Sequence, residues 1–321
     1  MPSQLQISRD LAGIFCALAA SVGFSITDVS IKFLSDGYPL HQIIFIRSLI
    51  ALALTLTIII PLEGGFANLK TRRPVAHLIR GLCLVLANLM FFASLAVLPL
   101  GDAVAIFFVA PIMTITLSVI ILREQVGVKR WSAVALGLAG VMLLVKPGMQ
   151  GFQPATLLPV GAAFFYSVMQ IVTRKIGLTE RASTMAFYIH LVFAAASIIF
   201  GIGFYGFESE SSHPSVEFIT RPWTWPGQLD FAIMVGVGLA SAFSGYFISQ
   251  AYRMAQVSSI APIEYTVLVL AVFWGVVVWA DWPPISSWVG IVLILASGMI
   301  VAFREKRAGA PIASKRVYSR R

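Results

Sequence analysis

Ten apolar stretches, most of them longer than 20 residues, recur along the chain and decide what it can fold into. A helix needs about 20 apolar residues to cross the roughly 30 Å hydrocarbon core of a bilayer. Inside that core the backbone N–H and C=O groups find no water, so each crossing segment is expected to be a helix. The ten stretches are 11–34, 40–60, 75–96, 101–122, 131–146, 155–175, 182–204, 228–253, 258–280 and 285–303. The sequence therefore predicts an all-α integral membrane protein with ten transmembrane helices.

The charge content supports lipid as the main solvent of this chain. Only 12% of the 321 residues are charged, whereas soluble domains carry about 25%. A net charge of +9 can indicate nucleic-acid binding, but here the basic residues form short clusters between the apolar stretches rather than one patch or stripe. We therefore expect contact with membrane lipid and no binding of nucleic acid.

The basic residues also predict the orientation of the chain. With residue 1 in the cytoplasm, 18 of the 23 Lys and Arg residues fall on the cytoplasmic side. The remaining five are Lys146 and Arg221 on the opposite side and Lys32, Arg47 and Arg80 within spans. Cytoplasmic loops of membrane proteins carry this excess of Lys and Arg. We predict a multi-pass protein of the cell inner membrane with both termini in the cytoplasm.

The two halves of the chain resemble each other. The matching pairs are Phe107 with Glu264, Glu124 with Asp281 and Trp131 with Trp288 at an offset of 157 residues, and Ser25 with Ser167 and Asp28 with Gln170 at an offset of 142. Because five spans per half is an odd number, the second half must enter the membrane inverted, as in many secondary transporters. We predict two inverted five-helix repeats, 1–150 and 151–305, followed by a basic cytoplasmic tail, 306–321.

Several motifs connect the whole chain to a known family. They are RRPVAHLIRG at 72–81, LREQVGVKRW at 122–131 and APIEY at 261–265, with TDVSIKFL at 27–34 followed by FIRS at 45–48. With these motifs the chain resembles the EamA-type ten-helix branch of the drug/metabolite transporter superfamily, and the last two look like those of carriers for S-adenosylmethionine and riboflavin. The resemblance implies ten helices around a central cavity and facilitated or ion-coupled movement of a small organic metabolite.

The ionisable residues inside the spans are the first candidates for function, because a charge at the bilayer centre costs roughly 2.5–3.5 kcal/mol on insertion scales. Asp28 and Arg47 lie about 9–10 Å below the external ends of the first two spans, at 1.5 Å per helical residue. A contact between them is expected. Both a substrate-binding role and a structural ion pair fit this placement. Lys32 is expected to snorkel outward to the membrane surface.

A second pair is predicted nearer the cytoplasmic side. Arg80 lies about 8 Å into the third span and Glu264 about 9 Å into the ninth. Glu264 follows Ala261-Pro262, and proline leaves a backbone carbonyl that other groups must satisfy. A carboxylate beside a broken helix suits a cationic substrate or a coupling proton. The alternative is an inner gate formed by an Arg80–Glu264 salt bridge.

Polar and aromatic residues supply the other candidate ligands. Binding pockets combine aromatic walls with a few convergent polar groups. Tyr265 beside Glu264, and Tyr166 one turn before Gln170, are predicted to stack on a substrate ring, and Asn88 and Gln170 to line the cavity. Interhelical hydrogen bonding is the alternative role for Asn88 and Gln170.

Other residues are assigned structural roles. Gly137, Gly140, Gly290 and Gly298 are expected to let the fifth and tenth spans pack closely, and Pro111 to kink the fourth. The longest connection, 205–227, carries Trp223 and Trp225, which are expected to form an interfacial belt. A lid over an outer vestibule is the alternative.

The absence of several motifs narrows the function. The chain has no GxxxxGK[ST] phosphate loop and no HExxH zinc motif. Its two cysteines, Cys16 and Cys83, lie within apolar segments. We therefore predict no enzyme, no cofactor and no metal, but a secondary transporter of a small metabolite, with a proton as a candidate coupling ion. The family resemblance implies a substrate similar to riboflavin or S-adenosylmethionine. The alternatives are an amino-acid or drug exporter of the same fold, and a membrane enzyme or assembly partner.

Overall fold

The fold was analysed in a computed structural model, which describes residues 4–62, 64–122, 128–145, 153–176, 182–206, 213–254 and 263–308. All regular secondary structure within these ranges is helical. The predicted all-α class is therefore confirmed for the described part of the chain. The features named above that lie outside it include Glu124, Lys146, the Ala261-Pro262 pair and the basic tail beyond residue 308.

The helices follow one another with short connections. They are α1 (Gln4–Leu34), α2 (Leu40–Leu54), α3 (Pro74–Leu95), α4 (Leu100–Phe107), α5 (Ala110–Leu122), α6 (Val128–Val145), α7 (Leu157–Ile176), α8 (Ala182–Gly203), α9 (Pro214–Thr220), α10 (Gln228–Met254), α11 (Thr266–Trp279) and α12 (Ile285–Ala308). A five-residue π-helical stretch, Thr55–Ile59, and a last turn, Ile60–Leu62, extend α2.

Seven helical segments within the described residues are long and apolar enough to cross a membrane. They are Leu11–Leu34, Leu40–Leu62, Pro74–Leu95, Leu100–Ile121, Pro154–Thr173, Ser183–Gly203 and Gln228–Ile248. Three further apolar helices are shorter, namely Ala135–Leu144, Thr266–Trp279 and Ile285–Ser297. All ten helical segments coincide with predicted apolar stretches. Seven of these ten segments are long enough to meet the length criterion for crossing a membrane.

The fourth apolar stretch is broken in the middle. The helix α4 ends at Phe107, Phe108 has φ −66° and ψ 3°, and α5 begins at Ala110. Pro111 has no N–H to donate to the carbonyl of Phe107 four residues earlier, so the helical bonding pattern is interrupted here. The predicted kink is confirmed, and its centre lies at Phe108 and Val109.

The packing of the helices is symmetric under exchange of the two halves. Pairing each helix with its counterpart relates α1 to α7, α2 to α8, α3 to α10, the α4–α5 unit to α11, and α6 to α12. The α1–α10 contact then corresponds to the α7–α3 contact, and the α2–α10 contact corresponds to the α8–α3 contact. The α1–α11 contact likewise corresponds to the α7–α5 contact. The contacts of α2 with α8, α4 with α11 and α6 with α12 map onto themselves.

The helices α6 and α12 cross at two glycines. A Cβ atom added to Gly140 would lie 2.8 Å from the carbonyl oxygen of Gly290, and one added to Gly290 would lie 2.9 Å from that of Gly140. A Cβ on Gly137 would meet Oγ of Ser297 at 2.8 Å. The predicted close packing is confirmed for Gly137, Gly140 and Gly290.

One end of the bundle, called here the capped end, is covered by residues 213–227. This segment contains the helix α9, whose Phe218 is only 1% exposed. Gln42 donates from Nε2 to the carbonyl of Thr224 (2.6 Å) and accepts from its N–H (3.1 Å). The Tyr38 hydroxyl donates to Asp230 (2.7 Å), which raises the pKa of the phenol. The described part of the connection 205–227, for which an interfacial belt was predicted and a lid was the alternative, is thus a folded cap bonded to the start of α2.

Candidate functional site

A row of touching aromatic rings crosses the middle of the bundle. It consists of Phe92 and Phe91 on α3, Phe107 on α4 and Tyr166 on α7, and we call it the aromatic ladder. Successive ring centroids are 5.4, 5.3 and 5.4 Å apart, within the range of favourable aromatic contacts. The ladder therefore runs from the first half of the chain into the second.

A second aromatic contact lies at the helix breaks. The ring of Phe108, at the break between α4 and α5, stacks on Tyr265 with centroids 4.9 Å apart and planes 29° from parallel. Tyr265 is the residue immediately before α11, and its side chain is buried. The offset of 157 residues that relates Phe107 to Glu264 also relates Phe108 to Tyr265. Two repeat-equivalent residues thus touch each other where both helices are interrupted.

Glu264 brings a carboxylate to this point. It is half-buried, and its charge acts on the phenol groups of both Tyr166 and Tyr265. Gln170 donates from Nε2 to the Tyr166 hydroxyl at 3.1 Å. The structure therefore brings together four of the residues predicted for the site, namely Tyr166, Gln170, Glu264 and Tyr265. A carboxylate among aromatic rings is an arrangement that attracts a cation.

Arg47 lies at the opposite end of the aromatic ladder. Its guanidinium is 5.8 Å from the ring centroid of Phe92 and 5.1 Å from that of Phe193. Nη2 donates to Oδ1 of Asn88 at 3.1 Å. The expected Asp28–Arg47 contact is only electrostatic, because these two described side chains attract each other without forming an ion pair within 4 Å. Arg47 therefore hydrogen-bonds Asn88, another residue predicted for the site, and not Asp28.

The alternative of an Arg80–Glu264 salt bridge is wrong, because no ion pair joins these two described side chains. Arg80, only 4% exposed, donates from Nε to the Thr173 hydroxyl at 2.7 Å and from Nη1 to the Met185 carbonyl at 3.5 Å. These bonds tie α3 to α7 and α8. Equal depth in two spans does not fix which way each helix faces, and here the guanidinium faces α7 and α8.

The expectation that Lys32 snorkels outward is also wrong. Its ammonium group donates to the carbonyl oxygens of Leu95 (3.1 Å) and Leu98 (2.6 Å) and lies 5.1 Å from the ring centroid of Trp279. The last carbonyls of a helix lack partners within the helix and carry partial negative charge. Lys32 therefore caps the end of α3 and touches the end of α11.

A cavity of about 210 Å³ opens near this lysine at the capped end. Its wall includes Gly101 and Asp102 at the start of α4, and Gly275, Asp281 and Trp282 around the end of α11. The charge of Asp281 acts on Lys32. The cavity is separated along α4 from the Phe108–Tyr265 contact, so it is a vestibule beside the candidate site rather than the site itself.

The sequence reasoning missed the partners of two repeat-equivalent serines. The Ser25 hydroxyl accepts from Trp274 Nε1 on α11 at 3.4 Å, and the Ser167 hydroxyl donates to the Ala110 carbonyl on α5 at 2.9 Å. Both serines are buried, and each contacts the broken helix of the other half. The offset of 142 residues that pairs Ser25 with Ser167 was the signal that could have indicated this.

Comparison with known proteins agrees with this architecture. A family model described as the EamA-like transporter family matches residues 11–146 and, a second time, residues 153–303. The two matches confirm that the chain contains two repeats. A crystal structure of a 21% identical protein covers 94% of this chain and 99% of its own, with a TM-score of 0.61, which shows a shared fold.

Several named proteins are similar over almost the whole chain. An S-adenosylmethionine uptake transporter of Rickettsia prowazekii (strain Madrid E) is 25% identical over 298 residues, 93% of this chain and 95% of that protein. A riboflavin transporter of Vibrio cholerae (serotype O1) is 27% identical over 303 residues, 93% of this chain and 95% of that protein. These are names of transporters and not of enzymes.

Proposed function

The chain belongs to the EamA-like transporter family, and from that premise we propose that it carries a small organic metabolite across the cell inner membrane by alternating access, without ATP. In such a mechanism two halves of a protein move against each other around a shared site, which opens to one side at a time. The observation that carries the proposal is the Phe108–Tyr265 stack, because it joins repeat-equivalent residues of the two halves at two helix breaks.

The proposal includes ten spans, two inverted repeats and both termini in the cytoplasm. The three shorter helices, Ala135–Leu144, Thr266–Trp279 and Ile285–Ser297, pack with the same symmetry as the seven long ones, which supports their being spans. The contacts that map onto themselves, such as α4 with α11, are those expected at a pseudo-twofold axis. On this topology the capped end faces outward, and the positive-inside distribution of Lys and Arg agrees.

The proposed substrate is an aromatic or heterocyclic metabolite of the kind that the named relatives carry. The aromatic ladder offers ring faces along its length, and Glu264 supplies a negative charge at one end. We propose that Tyr265, Tyr166 and Gln170 contact the ring, and that Asn88, Arg47 and Asp28 contact the other end of the substrate. Arg80 is proposed to hold the wall of this pathway in place.

Glu264 is also the proposed site for a coupling proton. A carboxylate in a membrane protein is costly to keep charged unless a cation or a proton neutralises it. Binding of a cationic substrate and binding of a proton would therefore compete at Glu264. This competition gives a direct route to proton-coupled exchange.

The experiment is an uptake panel with purified protein in liposomes, run with and without a pH gradient. The labelled compounds are S-adenosylmethionine, riboflavin, an amino-acid mixture and a cationic drug. We expect saturable uptake of a ring-bearing metabolite in chemically unchanged form. Movement of amino acids or drugs alone would favour the exporter alternative, and chemical conversion would indicate an enzyme. An absence of flux for every compound would contradict the proposal.

A further inference from the structure

We infer that Arg47 and Asn88 form a receptor for a carboxylate group on the transported metabolite. This inference rests on the proposed transport function and narrows its substrate class. The substrate would be an amino-acid-like compound that also carries a ring, and its carboxylate would bind at the Arg47 end of the aromatic ladder.

The hydrogen bonding of Arg47 is incomplete for a group so deeply placed. The residue is 7% exposed, and its partner among the described residues is the neutral amide oxygen of Asn88 at 3.1 Å. Its Nε has no hydrogen-bond partner in the structure. A buried guanidinium is normally compensated by an anion and by hydrogen bonds to its donors. Arg47 therefore has both the charge and the donors to bind an anion.

Asp28 does not use these donors. It attracts Arg47 electrostatically, but no ion pair within 4 Å joins the two side chains, both of which lie in the described part of the chain. The attraction of Asp28 at longer range lowers the free-energy cost of burying the guanidinium. It leaves the N–H groups of Arg47 available to donate to other acceptors. An anion from the substrate can therefore bind without displacing Asp28.

The surroundings of the guanidinium suit a planar acceptor. Phe92 and Phe193 lie beside it, and the charge of Arg47 also acts on His190, whose Nδ1 has no hydrogen-bond partner in the structure. A neutral histidine can donate from either ring nitrogen. Arginine matches the geometry of a carboxylate, because its fork of donors can bind both oxygens. The aromatic walls exclude water and strengthen such a bond.

A small cavity is lined by Phe193, which also contacts the Arg47 guanidinium. It has a volume of about 20 Å³, enough for roughly one water molecule, and its wall contains Phe193 together with Val85 and Leu89, which flank Asn88 in sequence. None of the residues that line it is acidic. The cavity wall therefore adds no carboxylate to that of Asp28, whose charge already acts on Arg47.

The aromatic ladder connects this receptor to Glu264. One substrate could therefore place its carboxylate at Arg47 and its ring at the other end of the ladder, beside Phe107 and Tyr166. S-adenosylmethionine has a carboxylate at one end and a ring at the other, whereas riboflavin has a ring but no carboxylate. The geometry therefore favours the first of these two chemistries.

The test compares two competitors of labelled S-adenosylmethionine uptake in proteoliposomes. Decarboxylated S-adenosylmethionine keeps the ring, the sulfonium and the amine but lacks the carboxylate. With the wild-type protein we expect it to compete about ten- to a hundredfold more weakly than unlabelled S-adenosylmethionine, the loss expected for a hydrogen bond to a charged group. In R47Q the two competitors should become equal within about twofold, because the charge that selects between them is gone.

Two further variants keep the test decisive. R72Q makes the same change at an exposed arginine outside the site and should retain the wild-type ratio of the two competitors. N88D places a carboxylate beside Arg47. Because it keeps the buried guanidinium and gives it an anionic partner, N88D should fold even where R47Q does not. The new carboxylate should occupy the guanidinium and abolish the discrimination between the two competitors. Equal competition in the wild-type protein, or a preserved ratio in N88D, would overturn the inference.

Failure of the inference can be separated from failure of the proposed function. Uptake of riboflavin with no response to S-adenosylmethionine would overturn the carboxylate receptor and leave the transport function standing. No uptake of any compound in the panel would contradict both.

Discussion

Phe108 and Tyr265 are repeat-equivalent residues that stack on each other, with ring centroids 4.9 Å apart. A residue that touches its own counterpart must lie close to the axis that relates the two halves. Each of the two also stands at an interruption of its helix. The helix breaks of both halves therefore meet at one point, next to the carboxylate of Glu264.

Replacing Tyr265 by alanine removes this stack and a wall of the candidate site. An aromatic pair contributes roughly 0.5–1.5 kcal/mol beyond its buried area, so the initial uptake rate of Y265A should fall by about two- to tenfold or more. Y265F keeps the ring and should retain near-normal uptake, which shows that stacking is the important property. Equal rates for Y265A and the wild-type protein would contradict a role for the stack.

Replacing Glu264 by glutamine removes the charge and keeps the shape. We expect E264Q to lose the response of uptake to a pH gradient and to transport cationic metabolites at least about tenfold more slowly, since a charge-assisted contact is lost. E217Q, which changes an exposed glutamate on α9, is the matched control and should behave like the wild-type protein. Unaltered flux and an unaltered pH response in E264Q would remove Glu264 from the site.

Replacing Gly140 by alanine should separate α6 from α12. The added Cβ would lie 2.8 Å from a backbone carbonyl oxygen that has no side-chain freedom to move away. Overpacking of this kind costs roughly 1–3 kcal/mol, which is measured as a lower thermal midpoint in detergent. G236A is the control, because no atom lies within 4 Å of the Cβ position there, and its midpoint should stay the same or rise.

Replacing Lys32 by methionine leaves the carbonyls of Leu95 and Leu98 without their ammonium partner. Loss of hydrogen bonds to a charged donor costs roughly 1–3 kcal/mol, so the thermal midpoint of K32M should fall. Lys70 is exposed, and K70M should have no effect. A K32M midpoint equal to that of the wild-type protein would restore the interpretation of Lys32 as a snorkelling side chain.

Much of the fold could be predicted from the sequence, because apolar length and repeat offset are one-dimensional properties. The ten apolar stretches coincide with helices to within a few residues at most of their ends, and the break near Pro111 follows from the missing N–H of proline. A lid was only an alternative for the connection 205–227, and its anchors could not be predicted, because the side-chain bonds of Gln42 and Tyr38 to residues 224–230 join segments far apart in sequence.

The side-chain partners in the site were harder to predict. Depth along a span placed Arg80 level with Glu264, but it gave no information on the direction in which each helix faces. Arg80 instead bonds Thr173 and Met185. The repeat offset was the better guide, since it relates Phe108 to Tyr265 and Ser25 to Ser167, and these residues do lie at corresponding contacts.

Counterflow tests most directly whether the two halves alternate around a shared site. Liposomes that contain the purified protein are loaded with a high concentration of unlabelled S-adenosylmethionine, and a trace of labelled compound is added outside. A carrier whose binding site returns across the membrane with substrate bound accumulates the labelled compound transiently above its equilibrium level. This overshoot is the predicted result. A smooth approach to equilibrium, as through a channel, or no protein-dependent entry of this or any other metabolite in the panel, would contradict the account.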